Sequence, residues 1–137
     1  VLFVDQYGTE EKPKLNQYGE TFRLRRLLAG RHLPGDQSRP LVQVRQATIE
    51  DLSQAPGAST RTELLQDARL VVVAGVENPT PNAVKLLREY VQQGGQLIIA
   101  AGAKFNAEAW NRDGWLDGGG ILPCKLEDLP VGEQALT

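Results

Sequence analysis

Apolar residues fall along this chain in short bursts separated by polar stretches, and the bursts alternate between two spacings. Residues 1–5 form an unbroken apolar run ending in the carboxylate of Asp5. It leads through Gln6, Tyr7 and Gly8 into a loop, which predicts a buried strand. Residues 9–18 are polar and carry Glu10, Glu11, Lys12, Pro13 and Lys14, as a solvated excursion would. From Glu20 to about His32, Phe22, Leu24, Leu27, Leu28 and Ala29 recur at helical spacing. Arg23, Arg25, Arg26 and Arg31 fill the other faces, so the segment predicts an amphipathic helix with a solvated arginine side. Pro34 and Gly35 punctuate it, and residues 41–46 then alternate apolar and polar as a second strand.

Residues 48–52 predict a single helical turn, broken by Pro56-Gly57. Thr60 and Glu63 have the spacing of a capping box ahead of Leu64 and Leu65. Residues 68–75 are nearly continuous valine with no solvent-facing alternation, the pattern of a central strand covered on both faces. Thr80 and Pro81 are the expected N-cap and first residue of the next helix. Its buried stripe reads Val84, Leu87 and Val91, joined by Ala83, Leu86 and Tyr90, and Gly94-Gly95 stop it. Residues 96–101 form a further apolar strand ending at Gly102. Beyond it the periodicity fails: residues 107–111 predict a short helix, Asp113 to the Gly118-Gly119-Gly120 run a loop, and Ile121, Leu122, Cys124 and Leu126 a short closing strand or a packed extension. Strand and helix alternate throughout, so residues 1–137 are expected to form one three-layer α/β domain on a mainly parallel sheet. Residues 103–137 would be an irregular C-terminal extension packed on it.

Composition narrows the chemistry. The chain has 137 residues, 15 basic and 17 acidic side chains and a net charge of −2. That balance argues against nucleic acid as a partner, because phosphate binding calls for a basic face. One cysteine cannot close an internal disulfide, and one cysteine with one histidine cannot supply a usual zinc shell. No run reaches the roughly 18 apolar residues of a membrane span, so the chain is not expected to insert directly into a membrane. It starts at Val1 rather than Met and runs straight into a strand pattern, which reads as part of a longer protein.

Open parallel sheets hold ligands outside the C-terminal ends of their strands. Here those ends supply Asp5, Gln6 and Tyr7, then Glu77 and Asn78, then Lys104 and Asn106, a set able to bind a polar ligand. The simpler reading is that Asp5 and Asn78 cap loops and Lys104 is solvated. The glycine pairs and triplets lack the strand-to-helix spacing of a phosphate loop. His32 has no nucleophile near it in sequence and is expected as a cation at a helix C-terminus. Cys124 follows Ile121-Leu122-Pro123, with only Lys125 as a nearby cation, and is expected to be structural. No cofactor is implied.

Three stretches resemble a known family. Residues 68–75 (ARLVVVAG), the helix after Pro79-Thr80-Pro81, and residues 90–99 (YVQQGGQLII) resemble the core of class I glutamine amidotransferase-like domains. They are also similar to flavodoxin-like ThuA-type proteins. Residues 105–112 with Gly119-Gly120-Ile121-Leu122-Pro123 are similar to the tail of amidotransferase-like domains in planctomycete-type, BatA-like membrane proteins that also carry a von Willebrand factor A domain. The resemblance implies a flavodoxin-like fold and membrane association through segments outside these residues. It also implies partners among other domains of the same longer chain or a separate protein. The catalytic members carry a GxCxG elbow after the strand matched by residues 96–100; here the turn reads Ala100-Ala101-Gly102-Ala103-Lys104, and no later histidine exists. The resemblance therefore implies a non-catalytic module. A ligand-binding or enzymatic domain using Asp5, Glu77, Asn78 and Lys104 is the alternative.

Overall fold

The computed structural model describes residues 1–30, 35, 42–54, 59–102 and 104–127. Its strands are β1 (Leu2–Val4), β2 (Arg45–Ala47), β3 (Leu70–Ala74) and β4 (Gln96–Ala100). They form one sheet in the order β2-β1-β3-β4, and every pairing is parallel. The helices are α1 (Phe22–Ala29), α2 (Ile49–Ser53), α3 (Ser59–Gln66), α4 (Pro81–Gln92) and α5 (Ala107–Ala109), the last continuing into a π-helical segment, Trp110–Trp115. The chain is thus an α/β domain with an all-parallel sheet.

Period-two alternation divides the strand side chains between two faces. Leu2, Val4, Val71 and Val73 meet α2, α3 and α4 through Ile49, Leu52, Leu65, Ala83, Leu87 and Tyr90. Phe3, Val72 and Ala74 point the other way, where Leu28 of α1 packs on them. Consistent with its unbroken valine run, β3 is buried on both faces.

Both expected features of the α4 start are present. Thr80 accepts from the Ala83 amide, and Pro81 occupies the first turn. The Thr80 hydroxyl also meets Ser53 Oγ, which ties α4 to α2. The capping box, however, lies at Thr48 and Asp51 at the start of α2. Thr60 is already inside α3, so the expected box at Thr60 and Glu63 is not an N-terminus.

Several other expectations are corrected. Gly30, at φ 73°, ends α1 at Ala29, short of His32, which lies outside the described residues. Leu24 and Leu27 are 46% and 78% exposed, whereas Arg25 is buried. The second strand begins at Arg45 rather than 41. Val91 is 43% exposed and leaves the buried stripe of α4 to Ala83, Val84, Leu87 and Tyr90. Of the two forms expected for residues 121–126, the structure has the packed extension and no strand. Ile121, Leu122 and Leu126 pack as an extension, and Cys124, expected to be structural, is exposed.

The extension is fixed by polar clamps as well as by packing. Arg88 of α4 donates to the Gly118 and Gly120 carbonyls at 3.3 and 2.9 Å. Asn111 grips the backbone of Leu126 from both sides, donating to its carbonyl at 2.9 Å and accepting from its amide at 2.6 Å. Trp110, 1% exposed, lies beneath this loop in the main core.

Candidate functional site at the C-terminal edge of the sheet

β1 hands over to β2 on one side and β3 on the other, so the strand order reverses at β1. The crevice at the C-terminal ends of β1 and β3 is where such sheets place ligands. A cleft of about 240 Å³ opens there, lined by Asp5, Gln6, Ile49, Glu50, Val76, Glu77 and Asn78. Four of the expected residues, Asp5, Gln6, Glu77 and Asn78, therefore meet in one place. Tyr7, Lys104 and Asn106 do not line it. Lys104 is exposed, so the expected acid–lysine convergence is absent from this cleft.

The chain itself already uses most of these groups. Asp5 is 1% exposed. Its Oδ1 accepts the backbone N–H groups of Tyr7 and Gly8 at 3.0 and 2.8 Å, folding the loop back on the strand end. Its Oδ2 accepts from Thr21 Oγ1 at 2.6 Å and lies 3.9 Å from Arg25 Nη2. Arg25 completes the network through Nε to Thr21 Oγ1 at 2.8 Å and Nη2 to Glu11 Oε2 at 2.5 Å. A buried carboxylate is tolerated only with such partners.

Thr21, Arg25 and Leu28 are spaced to share one face of α1, so the helix presents a polar patch and an apolar one to the sheet. Burial pushes the Glu11 carboxyl up. The Arg25 hydrogen bond and charge and the Gly19 backbone N–H oppose burial, and the carboxyl stands below its usual value. A depressed carboxylate stabilises the fold fully above its unfolded value of 4.5, and this stabilisation fades as pH falls through the lower folded value. Wild-type protein is therefore expected to lose its stability advantage over Glu11→Gln on going from about pH 6 to about pH 3. Urea midpoints of both proteins across that range check this.

Gln6, Asn78 and Asn106 are likewise engaged. Gln6 Nε2 donates to the Gly75 carbonyl at 2.8 Å. Asn106 donates through Nδ2 to Asn78 Oδ1 at 3.1 Å, accepts the Ala109 amide at 3.1 Å as the cap of α5, and bonds the Glu77 carbonyl through its own amide at 3.1 Å. Trp110 Nε1 donates to the Val76 carbonyl at 3.0 Å. Phe105 stacks on the same indole, ring centroids 5.1 Å apart. The extension thus latches the β3–α4 loop.

Gly102 lies two residues beyond the end of β4. A Cβ built there would stand 2.6 Å from the Cα of Gly75 and 2.7 Å from the carboxyl carbon of Glu20. Gly75 has φ 66°, and a Cβ on it would stand 2.8 Å from Glu20 Cγ. The Gly75 backbone and the Glu20 side chain leave no room for a Cβ at Gly102.

A wider concavity, about 720 Å³, lies at the opposite end of the sheet between α3 and α4, with Arg69, Glu89, Tyr90 and Gln96 in its lining. The Tyr90 hydroxyl there is spent on the Ala68 carbonyl at 2.8 Å. Among the described residues no three His, Cys, Asp or Glu side chains are grouped to hold a metal ion, and no helix is long and apolar enough to cross a membrane.

The chain matches no family model, and no curated protein or solved structure is significantly similar to it.

Sequence reasoning did not find Thr21, Arg25, Glu11, Glu20 or Glu50. One signal was present: an apolar run ending in Asp5 buries a carboxylate, and a buried carboxylate requires a cation. The arginines of the first helix lie within reach of the same strand end.

Proposed function

We propose that this domain is a flavodoxin-like, amidotransferase-like module without amidotransferase chemistry. It acts as a binding or structural unit of a larger membrane-associated protein. The observation that carries the reading is the filled turn at Gly102, where the main chain of Gly75 and the side chain of Glu20 take up the nucleophile's space. The spent carboxylate of Asp5 and the loop latch from Asn106 and Trp110 support it, because they convert a usual ligand edge into internal structure. Its partners are other domains of the same longer chain or a separate protein, and segments outside these residues attach it to the membrane.

Gly102→Cys tests the reading directly. The variant is expected to show no glutamine hydrolysis and to lose about 1–3 kcal/mol of stability, because the added atoms overpack a closed turn. Measured glutaminase turnover, in the wild type or the variant, overturns the proposal. The alternative is a ligand site in the cleft of Gln6, Glu50, Glu77 and Asn78, whose exposed carboxylates favour a small cation. Saturable shifts of the Gln6 and Asn78 amide resonances on titration with ethylammonium would establish it; unmoved resonances favour the structural reading.

A further inference from the structure

α1 is turned inside out. Arg25 and Leu28 face the sheet, so at roughly 3.6 residues per turn Arg23 and Leu27 stand together on the outermost side, flanked by Leu24 and Arg26. Leu27 is the most exposed large hydrophobic side chain among the described residues, at 78%. This exposure is enforced by the fold. Arg25 is held inward by Thr21, Asp5 and Glu11, and rotating the helix to bury Leu24 and Leu27 would break that network. Leu15, at 67%, is the second most exposed of these side chains. It sits in a neighbouring turn closed by the Lys12–Gln17 bridge, and the Tyr18 ring that follows stacks on Phe22 of α1 with centroids 4.8 Å apart. Lys12 and Lys14 of that turn are exposed, as are Arg23 and Arg26 of the helix.

We propose that the outer face of α1, with the Leu15 turn beside it, docks the domain on an anionic lipid bilayer. Charge selects this partner. Residues 8–30 carry five basic and three acidic side chains in a chain of net charge −2. α1 itself holds no acid. Glu11 is engaged with Arg25, and the Glu20 side chain lies against Gly75 and Gly102 at the end of the sheet, which leaves Glu10 as the remaining carboxylate of this stretch. A single exposed leucine is ordinary. Leucines interleaved with cations on one surface suit a bilayer, where the apolar side chains enter the acyl boundary and the guanidinium and ammonium groups meet lipid phosphates. The negative charge of the rest of the chain then fixes which way the domain faces. The assignment rests on these residues and not on the attachment through outside segments proposed above, so either can fail without the other.

Cosedimentation of the 137-residue protein with phosphatidylcholine vesicles containing about 30 mol% phosphatidylserine tests the assignment. Binding is expected to saturate, and to fall at least about tenfold on vesicles of phosphatidylcholine alone. The Leu24→Gln/Leu27→Gln and Arg23→Gln/Arg26→Gln double variants should each lose at least about tenfold in affinity. All four positions are exposed, and unchanged urea midpoints would show that both variants are folded. Val91→Gln, at an apolar position of similar exposure on α4 across the sheet, should bind as the wild type does. Absence of binding to the phosphatidylserine vesicles overturns the proposal. Binding that the leucine variant keeps also overturns it, since the arginines would then be a general anion-binding surface. Binding that the arginine variant keeps, or that Val91→Gln loses to the same extent, overturns it as well.

Discussion

Replacing Asp5 by alanine is expected to destabilise the domain by about 3–5 kcal/mol, a large share of the total stability of a domain of this size. The substitution strands the Tyr7 and Gly8 amides and the Thr21 hydroxyl without their acceptor. It also leaves the Arg25 guanidinium facing a buried hole, with Glu11 as its remaining acidic partner. Asp5→Asn should cost less, because its amide oxygen still accepts the two backbone donors, while the acceptor of the Thr21 hydroxyl and the charge facing Arg25 are lost. Urea denaturation of the three proteins reads these differences. An Asp5→Ala variant within about 0.5 kcal/mol of the wild type would mean that the carboxylate is a free surface group, and so available to a ligand.

The second large effect is expected at Trp110. Truncation to alanine should cost about 3–5 kcal/mol through lost burial and the cavity left behind. Trp110→Phe keeps an aromatic ring for Phe105 to stack on but removes the donor to the Val76 carbonyl, and should cost about 1–3 kcal/mol. Exchange at the amides of residues 76–78 should rise more in Trp110→Ala than exchange at Val72, because the latch holds that loop while β3 has its own ladder. Equal loosening at both places would show that Trp110 is ordinary core and not a latch.

Much of the framework was readable from spacing alone. The valine run of β3 and the Thr80-Pro81 start of α4 are strong signals, since burial on both faces and a capped first turn each demand particular residue types. Misreadings arose where one residue's neighbours in space decide its role. Leu24 and Leu27 have the spacing of a buried stripe, yet α1 turns Arg25 inward because Asp5 needs a cation, and a polar demand of that size outranks two leucines. Ile98 reads as core but lies on the edge strand β4, and edge position is a property of strand order that no local pattern encodes. The candidate site was legible as strand ends, which the parallel topology brings together at β1 and β3. That Asp5, Gln6, Asn78 and Asn106 are already engaged was not legible, because Asn78 and Asn106 pair across 28 positions and Trp110 reaches Val76 across 34.

The strand order also sets a timetable. Of the four described strands β1 is made first, yet it lies inside the sheet, and both of its neighbours are made later, β2 at Arg45–Ala47 and β3 at Leu70–Ala74. At roughly 5–20 residues per second, the apolar triplet Leu2-Phe3-Val4 waits several seconds for its second partner. The domain therefore cannot assemble piecewise from its start. Its sheet condenses around β1 once β3 has emerged, and until then those three residues lack the strand that covers their second side.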